Sequence, residues 1–199
     1  MATASAHPVE RMIAGLFRRA DRRRRTIQSL HRTIGEAARR PGLYTALGVP
    51  DTVEGRFEAL SLHVILVLRR LGQLPPPAAD VAQDLVDSVF MQLDASLREL
   101  GIGDMGVPKR IKKLGASFYA RAGAYGTALD AGDRAGLAET LARNVLDGVE
   151  PDAAEPLASY VEAAAAALGG QDLNGLLGEG PRFPEPVGAA ATENSGDHR

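Results

Sequence analysis

The stretch Leu97-Arg-Glu-Leu-Gly101-Ile-Gly103-Asp-Met-Gly106-Val-Pro108-Lys-Arg-Ile-Lys-Lys113 decides the fold class. Its Gly101-x-Gly103-x-x-Gly106 spacing is that of a dinucleotide-binding loop, which requires a strand before the first glycine and a helix after the last. The preceding residues deny the strand. Val81, Leu85, Val89, Leu93, Leu97 and Leu100 recur every three or four positions, the period of an amphipathic helix. The glycines therefore join helix to helix, and Pro108 enters the first turn of the second. That turn carries Lys109, Arg110, Lys112 and Lys113. Cations there oppose the helix dipole by a few tenths of a kcal/mol each, about 0.3 at an exposed site. Their placement is either a solvated face or a contact for an anion: phospholipid head groups, RNA phosphate or an acidic peptide.

Outward from this turn, every segment reads as helix, which predicts an all-α bundle of about six helices. A first helix spans Pro8 to Arg39, with Ile13, Leu16, Ala20, Ile27, Leu30 and Ile34 on one face, interrupted by Arg23 and Arg24. Pro41-Gly42 stops it. A second starts at a capping box, Asp51 with Glu54, and carries Phe57, Leu60, Val64, Leu68 and Leu71. Leu62, Ile65, Leu66 and Val67 fill its other faces, so it is the buried centre. A third opens at Asp80 with Gln83 and stops at Gly101. The fourth runs from Pro108 to Ala131, the fifth from Asp133 to Asp147, and the sixth from a box of Asp152 with Glu155 to Gly169-Gly170. The expected organisation is a basic amphipathic helix over 1–40, a helical core over 41–170, and a disordered Pro/Gly/Ala/Glu tail over 171–199.

The chain has no cysteine, and its four histidines lie far apart. This argues against disulfides, thiolate chemistry and a structural zinc, and no metal or cofactor is expected. No Gly-x-Ser-x-Gly elbow, phosphate loop or His-Glu-x-x-His motif occurs, so no enzyme is expected. Charge is divided unevenly. Ten arginines face Asp21 and Glu36 between Arg11 and Arg40, while 13 basic residues face 22 acidic ones from Pro41 onward. A basic arm of this kind suits an anionic surface. Arg18, Arg19, Arg22, Arg23, Arg24 and Arg25 are its candidate membrane or anion contacts. The arm also has the look of a mitochondrial transit peptide, or of a docked bundle helix with a charged outer face. The longest apolar run, Leu62 to Leu68, is far short of the roughly 20 residues that span a bilayer.

Three blocks in order carry a family resemblance. They are Gly48-Val-Pro-Asp-Thr-Val-Glu-Gly-Arg-Phe57, then Leu97 to Arg110, then Phe118-Tyr119-x-Arg121 with Tyr125 and Arg143-Asn144. Together they resemble the ubiquinol–cytochrome c chaperone family, assembly factors of the cytochrome bc complex. The resemblance implies an all-helical, non-enzymatic protein that acts with a partner factor on newly made cytochrome b, at the ribosome and the inner membrane. The expected partners are cytochrome b or a second assembly factor, with an anionic membrane surface and no DNA. The expected location is cytoplasmic and peripheral to the inner membrane, or the mitochondrial matrix side. An RNA- or ribosome-associated module using the basic arm is the alternative from another class, and a helical enzyme with an unrecognised pocket the third.

Within this frame Arg56 either satisfies Asp51, Glu99 or Asp104 around the glycine turn, or joins Arg98 and Asp104 in a groove that reads a partner. Glu99, Lys109, Arg110, Lys112, Lys113, Arg121 and Tyr125 complete the expected partner surface. Asp51, Gly55, Phe57, Gly101, Gly103, Gly106 and Pro108 are expected to be structural. His63, alone in an apolar helix, reads as a core histidine bonded to a carbonyl.

Overall fold

The computed structural model describes residues 8–99 and 106–188, with their side chains from Asp21 onward, Arg22 excepted. All regular structure among the described residues is helical. Helix α3 (Val53–Gly72) is the axis of the bundle, because leucine, isoleucine and valine occupy nearly every face. Ala59, Leu62, His63, Val64, Ile65, Leu66, Val67 and Leu71 are all buried. Each large aliphatic side chain removed from water contributes about 1.5–3 kcal/mol. The neighbours of α3 are α1 (Pro8–Ala37), α4 (Ala78–Glu99), α5 (Val107–Ala131) and α7 (Glu155–Gly169). Two ion pairs, Arg121–Glu58 and Arg69–Asp130, set α3 and α5 side by side and pointing the same way. Helix α6 (Arg134–Asn144) and a 3-10 turn (Pro151–Ala154) close the far side against α5 and α7.

Local chemistry fixes the ends differently from the spacing of the sequence in four places. Thr52, not Asp51, caps α3: its hydroxyl accepts from the Gly55 backbone N–H at 3.0 Å. Asp51 instead pairs with Arg56 at 2.6 Å. Gly55 is obligatory there, since a Cβ would lie 2.0 Å from the Pro50 carbonyl oxygen. Helix α4 starts two residues before Asp80, and the Gln83 amide donates to Asp87 rather than back to a cap. The Asp152 box is replaced by the 3-10 turn, which feeds α7 at Glu155. Asp133 does cap α6, accepting from Gly136 N–H at 2.9 Å, but α6 ends at Asn144 rather than Asp147. Thr52→Ala should cost about 1 kcal/mol in a urea titration, whereas Asp51→Ala should leave the midpoint nearly unchanged. The reverse order would restore Asp51 as the cap.

The basic arm docks as part of the bundle. Ile27, Leu30, Ile34 and Ala37 of α1 are in the core, and α1 packs on α4. Arg23 does not simply interrupt the face: its guanidinium grips Asp84 of α4 and donates to the Asp80 carbonyl at 3.3 Å. A short helix α2 (Pro41–Thr45), with Leu43 buried, follows where the sequence shows only a stop.

The tail boundary also moves. Residues 171–188 are folded onto the core, with α8 (Leu173–Gly178) capped by Asp172 and Phe183 buried at 9% exposure. Prolines lower the ordering cost of such a segment, and core side chains satisfy its carbonyls. The remainder of the expected tail, 189–199, lies outside the described residues.

Candidate functional site: a buried ion pair beneath a cleft on α5 and α6

Glu58 is an acid in an otherwise apolar stretch of α3, and such a carboxylate needs a cation. Arg121 of α5 supplies it at 2.9 Å, with the two side chains only 15% and 18% exposed. Burial pushes the Glu58 carboxyl up from its ordinary value, and the Arg121 charge pulls it back down. The pair is incompletely satisfied. Glu58 Oε2, Arg121 Nε and the hydroxyl of Tyr125 are buried without hydrogen-bond partners. Tyr125, one turn after Arg121, is 1% exposed, and burial raises its phenol above the usual range. Its hydroxyl faces Asn144 without closing a bond. Buried polar groups left this way mark either hydration or a place where a partner's polar group completes the set.

Above the pair, α5 and α6 form a cleft of about 290 Å³ lined by Ser117, Ala120, Arg121, Ala124, Thr140, Arg143 and Asn144. That volume lies at the lower edge of small-molecule pockets and suits one or two side chains of a protein partner. Arg143, 64% exposed, is held by Glu139 at 3.5 Å. The Thr140 hydroxyl donates to the Gly136 carbonyl at 2.8 Å, which fixes its rotamer. Guanidinium and amide N–H groups so arranged donate to carboxylate or carbonyl oxygens. Nothing in the cleft offers a thiolate or imidazole ligand for a metal.

A second cleft, of about 320 Å³, lies between α1, α2 and the start of α3. Arg39, Pro41, Tyr44, Thr45, Asp51 and Arg56 line it. Asp51 holds Arg56, and the arginine keeps the Asp51 carboxyl below its ordinary range through their hydrogen bond. The Tyr44 hydroxyl donates to the Ala38 carbonyl at 2.7 Å. The groove expected from Arg56, Arg98 and Asp104 falls partly outside the described residues. Arg56 is turned to Asp51, Arg98 pairs with Asp94 at 2.7 Å, and Asp104 lies outside the described residues. Glu99 is exposed at the end of α4.

Lys109, Arg110, Lys112 and Lys113 are exposed on the first two turns of α5, and none makes an ion pair among the described residues. Gly106 precedes α5 without a side-chain cap, Val107 is buried and Pro108 exposed. Gly101 and Gly103 lie outside the described residues, as do the side chains of Arg18, Arg19 and Arg22. Arg24 and Arg25 are exposed. Phe57, expected in the core, is only half-buried, and Gly55 takes the tight position instead.

His63 is in the core and closes two bonds. Its ring meets the Ala59 carbonyl and the Tyr160 hydroxyl, each at 2.7 Å. Phe183 packs edge-on against it, with ring centroids 4.8 Å apart. Complete burial brings its pKa down to about 4, with the backbone bond to Ala59 opposing and Arg40 adding to the shift.

Glu58, Ser117 and Thr140 went unnoticed in the sequence. Glu58 alone left a signal, as an acid between Phe57 and Ala59 in the most apolar helix.

Known proteins are similar to this arrangement. The family model described as ubiquinol-cytochrome C chaperone matches residues 45–183, which takes in α3 to α8 and the whole α5–α6 cleft, but only Thr45, Asp51 and Arg56 of the second cleft. The crystal structure of the Cbp3 homolog from Brucella abortus superposes with a TM-score of 0.78 at 40% sequence identity. The match covers 87% of this chain and 97% of that one. Among curated proteins none matches. A family match across most of the chain, joined to a shared fold at this identity, leads to one assignment: the chain belongs to the ubiquinol–cytochrome c chaperone family.

Proposed function

We propose that this chain is an assembly chaperone that holds cytochrome b, or a helper bound to it, during maturation of the ubiquinol–cytochrome c reductase complex. Family membership carries the reading, and it implies binding rather than catalysis. The cleft on α5 and α6 is the proposed contact, because it opens over an ion pair whose Glu58 Oε2, Arg121 Nε and neighbouring Tyr125 hydroxyl lack partners. Arg121 and Tyr125 would act there with Arg143 and Asn144. Arg56 and Arg98 are proposed as peripheral contacts only.

Among the described residues no helix is long and apolar enough to cross a membrane. The proposed location, which family membership suggests, is peripheral, on the cytoplasmic face of the inner membrane. The exposed cations at the start of α5, with Arg24 and Arg25 of α1, support contact with anionic head groups, at about 1 kcal/mol per basic residue near the surface. The same cations favour a second reading, an RNA or ribosome contact. Salt titrations of binding to anionic liposomes and to ribosomes separate the two.

Deleting the gene tests the main reading. Assembled cytochrome bc complex and its spectral cytochrome b signal should fall, while other respiratory complexes stay near normal. Undiminished cytochrome b spectra in the deletion strain would overturn it.

A further inference from the structure

The segment from Gly180 to Gly188 has no regular secondary structure and makes no backbone-to-backbone hydrogen bond among the described residues. Each of its three prolines fixes φ at about −65° and biases the residue before it toward an extended conformation. Core side chains hold it by its main chain instead. Gln171, 4% exposed, donates to the Gly180 carbonyl at 2.9 Å and accepts from the Arg182 N–H at 2.8 Å. Arg40 donates to the Phe183 carbonyl at 3.0 Å and to the Pro184 carbonyl at 2.7 Å. The Pro186 carbonyl rests on Gly42, where a Cβ would come within 2.0 Å of its oxygen.

One large side chain enters the core. Phe183 lies edge-on to His63, whose ring is itself tied to Tyr160. Arg182, Glu185 and Val187 are exposed, and Pro181 and Pro186 are buried beside the anchor. Most of these bonds read the main chain, and one side-chain contact is added to them: Arg40 also pairs with Glu185 at 3.4 Å. An aromatic-lined groove with such donors is how proline-rich segments are bound by other proteins, because their backbone is already ordered. The family match stops at Phe183, in the middle of this segment.

We propose that the groove floored by His63, Tyr160, Arg40 and Gln171 is a peptide-binding groove and that residues 180–188 are its built-in occupant. Its external ligand is an extended client segment with an aromatic anchor flanked by prolines. The inference rests on the reading above in one respect, that the chain binds a client. The groove and its competition with the tail do not depend on which client it is.

The test uses the full-length chain and a fluorescent peptide of the sequence Gly-Pro-Arg-Phe-Pro-Glu-Pro-Val-Gly as probe. Phe183→Ala should release the built-in occupant, so this variant should bind the probe at least tenfold more tightly than the parent. Adding Arg40→Ala should abolish the gain, and a probe with alanine for phenylalanine should not bind. A Phe183→Ala chain with a cooperative melt and no gain in probe affinity would overturn the proposal. Should that variant not fold, amide exchange in the parent decides. The Arg182 N–H should exchange at least tenfold faster than the amides of Ile65 and Leu66, through local opening. Equal protection would make the segment an ordinary part of the core and end the proposal. Because the probe contains no cytochrome b, probe binding without cytochrome b binding would refute the client reading and leave the groove standing.

Discussion

Replacing Arg121 with methionine should lower stability by up to about 3 kcal/mol, the low end of the cost of stranding one partner of a buried pair, since this pair is largely but not fully buried. The Glu58 carboxylate would then sit 15% exposed with no cation. Its Oε2 already lacks a hydrogen-bond partner, so nothing nearby can take over. Glu58→Leu should be damaging for the same reason, leaving a guanidinium unpaired. The double substitution Glu58→Leu with Arg121→Met should recover most of the loss, since apolar isosteres often replace a buried pair without penalty. Urea midpoints of the two single variants and the double variant measure this as a cycle. Single variants at the parental midpoint would mean that solvent reaches the pair freely. The double variant has a second use. A folded chain without the ion pair shows how much of client binding depends on the unsatisfied groups rather than on the shape of the cleft.

Acid should destabilise the fold through His63 by about 3 kcal/mol between pH 7 and pH 4. The sign follows from the direction of the shift. Burial holds the folded imidazole at about 4, below its ordinary 6.5. Above pH 7 both states are neutral and the residue contributes no slope. As the pH falls through 6.5 the unfolded chain takes up a proton that the folded chain refuses, so stability drops until about pH 4 and then levels. His31 adds to this trend, because burial and then Arg39 lower its pKa as well. Glu58 opposes it, as its raised pKa favours the protonated folded state. The measurement is the free energy of unfolding across that range for the parent and for His63→Leu. The variant should be less stable at pH 7, having lost the Tyr160 bond, but its curve should be flatter. Identical slopes would show that His63 is not the group that titrates.

The helical bundle was legible because α3 is apolar on every face and α4 repeats its leucines every three or four positions. Those patterns depend on neighbours close in sequence. That α4 and α5 flank the glycines as two helices was legible for the same reason, since the helical period before Gly101 overrides the fingerprint; residues 100–105 themselves lie outside the described residues. The caps were less so. Asp51 and Thr52 are adjacent and both are good caps; Thr52 takes the cap while Asp51 is held by Arg56. The site was only partly visible. Arg121 and Tyr125 stood out by family resemblance, yet the Glu58 partner lies 63 positions away, and no local rule joins them. Tyr160 reaches His63 from 97 residues on. The tail misled composition outright. Its prolines and glycines read as disorder, but Arg40 and Gln171, each more than 140 or about ten residues away, supply the hydrogen bonds that the segment cannot make for itself. Arg23 likewise reads as surface charge in the sequence, whereas Asp84, 61 positions on, holds its guanidinium.

Co-purification of cytochrome b with the tagged full-length chain, compared between the parent and Ala120→Trp, tests the account most directly. Ala120 is exposed on the wall of the α5–α6 cleft, so the indole should fill the cleft and leave the core intact. The account predicts that the parent brings cytochrome b or its bound helper out of membranes, and that Ala120→Trp loses it at an unchanged melting temperature. Equal recovery by the two chains would contradict the cleft as the contact, and failure of the parent to recover either protein would contradict the proposed client.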